Sequence, residues 1–263
     1  MLFGHFFSLV EGWPPIVSLA IISLVAGLAM LWVFGRISDQ EAIAKAKKSL
    51  AAHLYELRLF ADEPALIWRA QKELLIGNVR YLALMLKPAI VLTIPMVFLL
   101  VQLESFYGIQ PLPVGSPAIV TLKVQGPIPA ESALPLLEAP QGIAVETPPV
   151  RVPGEGLICW RIRPTRPVAG TLRIAFRGAS LEKALASGRG PRYLSTRRVS
   201  SALGQFVYPA ESRLKGDTAD WIEIRYPGAE VSCFGLGLHW LIWFLVISLA
   251  SAWLLRKRFG VAL

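Results

Sequence analysis

The sequence predicts an α-helical membrane protein with three transmembrane helices, a cytoplasmic helical hairpin between the first two, and an inserted extracytoplasmic all-β, sandwich-like domain before the third. Three observations predict it. Hydrophobic side chains make up 54% of the 263 residues and the mean hydropathy is +0.52, against the roughly 45–50% apolar content of ordinary soluble domains. The excess is concentrated in residues 16–34, 82–103 and 236–255, each block close to the ~20 residues that cross a ~30 Å hydrocarbon layer at 1.5 Å per residue. Between the second and third blocks the composition turns abruptly to Pro, Gly and β-formers.

Residues 1–35 read as an outer N-terminus followed by the first transmembrane helix. No Lys or Arg precedes the apolar block and no small-residue cleavage site follows it, so it reads as a retained span rather than a signal peptide. Arg36, Lys45, Lys47 and Lys48 follow the first block, Arg80 and Lys87 border the second, and Arg256, Lys257 and Arg258 follow the third, whereas Glu11 is the only charged side chain before the first. Basic flanks stay in the cytoplasm, so the N-terminus is expected outside and residues 256–263 form a cytoplasmic basic tail. The bias to Ala, Arg, Pro and Gly, with Asn78 as the only asparagine, suggests a GC-rich bacterial source and hence the bacterial inner membrane. The net charge of +9 is spread over all three compartments. It reads as topology signal and lipid contact rather than as a nucleic-acid surface.

Residues 36–81 carry the hairpin. Ser38-Asp39-Gln40-Glu41 has the Ser-x-x-Glu pattern of a capping box, which starts a helix. Ile43, Leu50 and Leu57 then recur at seven-residue spacing, giving one apolar face. Asp62-Glu63-Pro64 ends this helix and opens another, because proline disfavours helix before it and suits a first turn. Two such helices form an antiparallel hairpin that projects upright from the membrane or lies flat on the inner leaflet. Asp39, Lys45, Lys48, Arg58, Arg69 and Lys72 are its candidate partner-docking residues.

Residues 82–104 form the second span. Lys87 lies about one and a half turns inside it, and a charge there either snorkels to inner-leaflet phosphates or serves a function. Pro88 and Pro95 free carbonyls in the helix, so a kinked segment beside a lysine could line a wet groove. In residues 105–235, β-rich runs at 118–125, 143–152, 157–163, 171–177 and 221–226, separated by turn residues, have the spacing of a small sandwich. A short helix is expected at 180–186 and an irregular loop with Arg189, Arg192, Arg197 and Arg198 at 188–198. Outside the cytoplasm a disulfide between Cys159 and Cys233 is permitted, although two cysteines alone fix no geometry. Residues 236–255 form the third span, with His239, Trp240 and Trp243 as its outer interfacial belt.

No phosphate loop, dinucleotide fingerprint, zinc spacing or HExxH motif is present, so the sequence points to no cofactor, no metal, no small-molecule substrate and no enzyme. Ser180 to Lys183 match the Ser-x-x-Lys pattern of penicillin-binding proteins but lack its companion motifs, and a solvated helix accounts for them.

An outward N-terminal first span, a charged cytoplasmic hairpin, and a second span entered through Met85-Leu86-Lys87-Pro88 with a further proline at Pro95 resemble the YidC-type insertase superfamily, particularly its short three-span members. The likeness covers residues 16–108 and the third span. It implies a hydrophilic groove open to the cytoplasm, polarity supplied by Lys87, and a hairpin that receives substrate membrane proteins. The expected partners are therefore the lipid bilayer and other membrane proteins, as clients of an insertion or assembly factor. The competing expectation is an accessory subunit that anchors a larger complex through its β-domain, using Ala20, Ala26 and Gly27 for close helix packing.

Overall fold

The computed structural model describes residues 12–59, 64–128, 134–188 and 193–259. The chain forms two compact units: Met1–Ser18 with Phe98–Trp240, here the β unit, and Leu19–Val97 with Leu241–Leu263, the helical unit. The described residues contain α1 (Pro15–Ile37), α2 (Gln40–Leu59), α3 (Pro64–Leu103), α4 (Ala202–Val207) and α5 (Trp240–Leu255). Two helical stretches, Pro15–Ile37 and Trp68–Gly108, are long and apolar enough to cross a membrane.

In α1 the buried residues Leu19, Ser23, Ala26, Gly27 and Leu31 recur at helical spacing and form one stripe, while Ile21, Leu24, Val25 and Trp32 are exposed. The Ser23 hydroxyl turns back onto the Leu19 carbonyl at 2.7 Å, which satisfies it within the helix. Buried Phe244, Ser248 and Ser251 mark the matching stripe on α5. A Cβ on Gly27 would stand 2.5 Å from the Ser251 hydroxyl and 2.7 Å from the Ser248 carbonyl oxygen. The two helices therefore meet through small residues, which let their backbones approach closely.

The start of α2 corrects the capping box. The Asp39 carboxylate accepts from the Ala42 amide at 2.9 Å, so Asp39 is the N-cap. Ser38 is occupied elsewhere: its hydroxyl donates to the Phe34 carbonyl in the last turn of α1 and accepts from Gln40. Asp39→Ala is expected to destabilise the first turn of α2 by about 1 kcal/mol, read as faster amide hydrogen exchange there. Ser38→Ala should leave that exchange unchanged, and an equal effect from both variants would contradict the assignment.

Proline at the first position of α3 suits the helix start. Residues 60–63, where the hairpin turn was expected, lie outside the described residues. α3 is a single helix of 40 residues that runs through Pro88 and Pro95, roughly 60 Å at 1.5 Å per residue. The Thr93 hydroxyl donates to the Ala89 carbonyl at 2.8 Å between the prolines. α2 approaches α3 where Gly77 lacks a side chain: a Cβ there would lie 3.1 Å from Leu50 Cδ2. Beyond α3 the backbone widens into a π-helix at Glu104–Gly108, where a Cβ at Gly108 would fall 2.3 Å from the Glu104 carboxyl and require that side chain to move.

The β unit packs two antiparallel sheets. One has the strand order β3 (Ile143–Val145), β5 (Leu157–Pro164), β1 (Ala118–Val124), β9 (Ala219–Ile224), β8 (Arg197–Val199), with β4 (Val150–Val152) also pairing β5. The other has the order β2 (Leu136–Glu138), β6 (Val168–Phe176), β7 (Ala179–Ser187). Val120, Leu122, Ile158, Trp160, Ile222 and Ile224 from the first sheet share one core with Leu172, Ile174, Phe176, Leu181 and Leu185 from the second, as period-two alternation requires. On an exposed face Arg161 and Arg163 both reach Glu146, and the hydrogen bond from Arg163, chiefly, holds that carboxyl below its ordinary pKa.

Three expectations for this region are corrected. Residues 180–186 are strand, not helix: β7 pairs with β6 over nine residues, and Leu181, Lys183 and Leu185 turn inward at alternate positions. Helix-forming residue types yield here to pairing and burial. Cys159 and Cys233 are both free thiols, lying on β5 and on β10 (Val231–Cys233), strands of different sheets. The third apolar block does not start as helix, because Leu236–Leu238 forms β11 and pairs with β10, so α5 begins at Trp240.

Candidate interaction surfaces of the helical unit

The hairpin helices α2 and α3 enclose a cleft of about 610 Å³ whose lining includes Asp39, Glu41, Lys45, Glu73 and Arg80. His53 sits within it, 3.5 Å from Glu73 and 3.4 Å from the Ser49 hydroxyl. Arg69 holds the same Glu73 at 3.2 Å, one turn away. Both signs of charge line the cleft, so it fits a polar segment carrying mixed charge better than a simple anion or cation. Beside it α3 exposes Trp68, Leu75, Ile76 and Val79, with Arg69 and Lys72 flanking Trp68 and Leu75 in a shallow depression.

The sequence-predicted docking residues are thus divided. Asp39 and Lys45 line the cleft, Arg69 and Lys72 line the apolar depression, and Lys48 is exposed outside both. The side chain of Arg58 lies outside the described residues. α3 has no break between its hairpin part and its apolar part.

Of the residues proposed for a groove, Pro88 is buried whereas Lys87 and Pro95 are exposed. Lys87 shares the exposed flank of α3 with Val91 and Ile94, at helical spacing. That flank is bare: 6% of the apolar window of Trp68–Gly108 is buried, against 33% for Pro15–Ile37.

The residues expected in a belt at 239–243 differ in exposure. Trp240 is 2% exposed, because its indole N–H turns inward to donate to the Glu104 carboxylate at 2.8 Å. His239 is half-exposed and 4.0 Å from the same carboxylate, and Trp243 is partly buried. Two further bonds within the β unit secure helix ends: the Tyr107 hydroxyl donates to Ser18 at 2.7 Å and the Tyr193 hydroxyl to Gln102 at 2.6 Å. Sequence patterning gives no sign of these pairs, whose members stand 89 to 136 positions apart.

Lys183 in the β unit is fully buried, with 0% exposure. Its ammonium donates to Glu211, to the Ser195 carbonyl at 2.7 Å and to the Ala184 carbonyl at 3.3 Å. Glu211 also accepts from the Ala184 amide at 2.9 Å. Burial pushes the lysine pKa below 10.5 while Glu211 opposes the fall. All three ammonium donors are engaged, which makes this a structural staple. Ser180 lies exposed on the opposite face of β7, since strand residues three apart point to opposite sides, and this ends the Ser-x-x-Lys reading. Arg197 and Arg198, expected in an irregular loop, instead open β8: Arg197 binds Glu223 at 3.0 Å and Arg198 caps the Ser212 and Glu182 carbonyls. Arg189 and Arg192 lie outside the described residues. Among the described residues no group of three or more His, Cys, Asp or Glu side chains could hold a metal ion. Compared with family models, curated proteins and solved structures, the chain finds no match in any of the three.

Proposed function

We propose that this chain is a non-enzymatic insertion or assembly factor for membrane proteins, resembling the YidC-type insertases, with three spans, an outer β unit and a hairpin in the bacterial cytoplasm. The observation that carries the reading is the bare apolar flank of α3, which continues without a break into the hairpin. α1 and α5 cover one another through Gly27, Ser248 and Ser251. The exposed side of α3 is left for lipid or for an incoming apolar segment.

Span lengths support the three-span reading. Residues 88–103 of α3 carry no charge between Lys87 and Glu104, and α5 has the same 16 residues, followed directly by Arg256. Sixteen helical residues measure roughly 24 Å, a thin but tolerated match to ~30 Å of hydrocarbon when lysine and arginine snorkel from one end. On this reading Lys87 and Arg256 mark the inner edge, and Trp240 with Glu104 the outer one.

Lys87 on the bare flank then attracts acidic flanks of a client at the inner leaflet, and Trp68, Leu75, Ile76 and Val79 receive its apolar part on the hairpin. The test is insertion of a panel of membrane proteins into proteoliposomes containing the purified chain. Lys87→Glu is expected to lower the yield of protease-protected product several-fold, while Lys87→Arg keeps it. Insertion that proceeds equally without the chain would remove the proposal. Stoichiometric co-purification with one fixed complex, indifferent to Lys87→Glu, would replace it with the accessory-subunit reading.

A further inference from the structure

The short helix α4 was not foreseen in the sequence, and it has two unlike faces. One is seated on its own unit: Ser201 accepts from the Gly204 amide at 3.1 Å, Gln205 donates to the Glu211 carbonyl at 2.6 Å, and a Cβ on Gly204 would lie 2.9 Å from Val199 Cγ2. The other face presents Leu203, Phe206 and Val207, spaced i, i+3 and i+4, with Leu203 84% exposed. An apolar face of this kind is unfavourable in water.

We infer that α4 is seated in the outer leaflet, with Leu203, Phe206 and Val207 buried among lipid chains beside the outer end of α3. This rests on the reading of α3 as a span. The position of Phe206 carries the inference: its ring lies 5.7 Å, centroid to centroid, from that of Phe98. Phe98 precedes Glu104 by six residues on one continuous helix, so it lies roughly 9 Å along the axis from the charge that marks the outer edge. Phe206 therefore reaches the depth of acyl chains rather than of water. The Tyr193–Gln102 hydrogen bond brings a second segment of the β unit to the same end of α3. Arg213 and Lys215, both exposed just after α4, supply the cationic rim that suits anionic headgroups around an interfacial helix. Apolar surface continuous with a span, with basic residues at its margin, fits a lipid bilayer and not a soluble partner.

The test uses the full chain with Cys159→Ser and Cys233→Ser, reconstituted in bilayers of phosphatidylethanolamine and phosphatidylglycerol. A nitroxide is attached in turn at Leu203→Cys, Val207→Cys, Ile94→Cys on the bare flank of α3, and Asp217→Cys in an exposed polar turn. Collision with oxygen, which prefers lipid, is compared with collision with a water-soluble nickel chelate. The oxygen-to-nickel ratio at Leu203 and Val207 is expected to be several-fold above that at Asp217 and to approach that at Ile94. A lipid-like ratio at Ile94 with a water-like ratio at Leu203 and Val207 would overturn the seating of α4 and leave the span intact. Low collision with both reagents would mean that protein covers α4, which also overturns it. A water-like ratio at Ile94 would remove the span reading, and the seating of α4 with it.

Discussion

Replacing Lys183 by methionine is expected to destabilise the β unit by about 3–5 kcal/mol, the usual cost of leaving one partner of a buried ion pair without the other. Lys183 is fully buried and Glu211 nearly so, with side-chain exposures of 0% and 12%, so water cannot take over the lost contact. For a domain of this size the loss corresponds to a fall of roughly 10 °C or more in unfolding temperature, measured by circular dichroism of the detergent-solubilised chain. Lys183→Met combined with Glu211→Gln should recover much of it, because the amide removes the stranded charge and can still accept from the Ala184 N–H. The pH dependence has a definite sign. Burial lowers the folded-state pKa of Lys183 below 10.5, so between the two values the unfolded chain holds more protons and stability rises with pH. Lys183→Met should abolish that rise. Identical melting of Lys183→Met and the parent chain would show that the pair is not buried as described.

Gly27→Leu is expected to have the second large effect, in the helical unit. Even a Cβ at this position meets the Ser248 carbonyl oxygen at 2.7 Å and the Ser248 Cα at 3.2 Å. These are backbone atoms that no side-chain rotation can move aside, and the Ser251 hydroxyl that also blocks the site is itself bonded to Ser248. α1 and α5 must separate, at a cost of about 1–3 kcal/mol or more for overpacking, with the dispersion contacts along the seam lost in addition. The expected readout is a lower aggregation temperature in detergent and reduced yield in membranes. Val25→Leu, two residues away but 59% exposed, should change neither. Equal tolerance of the two substitutions would contradict a packed seam at Gly27.

The two predictions differ in how far the sequence anticipates them. Gly27 stands among small residues in an apolar run, a pattern that signals close helix approach, although its partners Ser248 and Ser251 are not nameable from it. Lys183 gives a misleading signal. In Ser180-Leu-Glu-Lys the residue types favour helix, and only the nine-residue pairing with β6 shows that Lys183 faces the core and Ser180 faces away. Much the same holds at the third apolar block, where hydropathy does not distinguish Leu236 to Leu238 in a β-hairpin from the helix that follows.

The sequence by itself determined the apolar blocks, the helical hairpin, the run of β-strands after Glu104 and the charges that flank each greasy stretch. These depend on composition and on periods of two to four residues, which neighbours along the chain display. Tertiary structure alone decided that Trp240 turns inward to Glu104, that Lys183 is stapled by Glu211, and that α4 lies against Phe98. Each is a choice among partners far apart in sequence, made by where a donor finds its acceptor or an apolar face finds cover, and no local pattern contains that information.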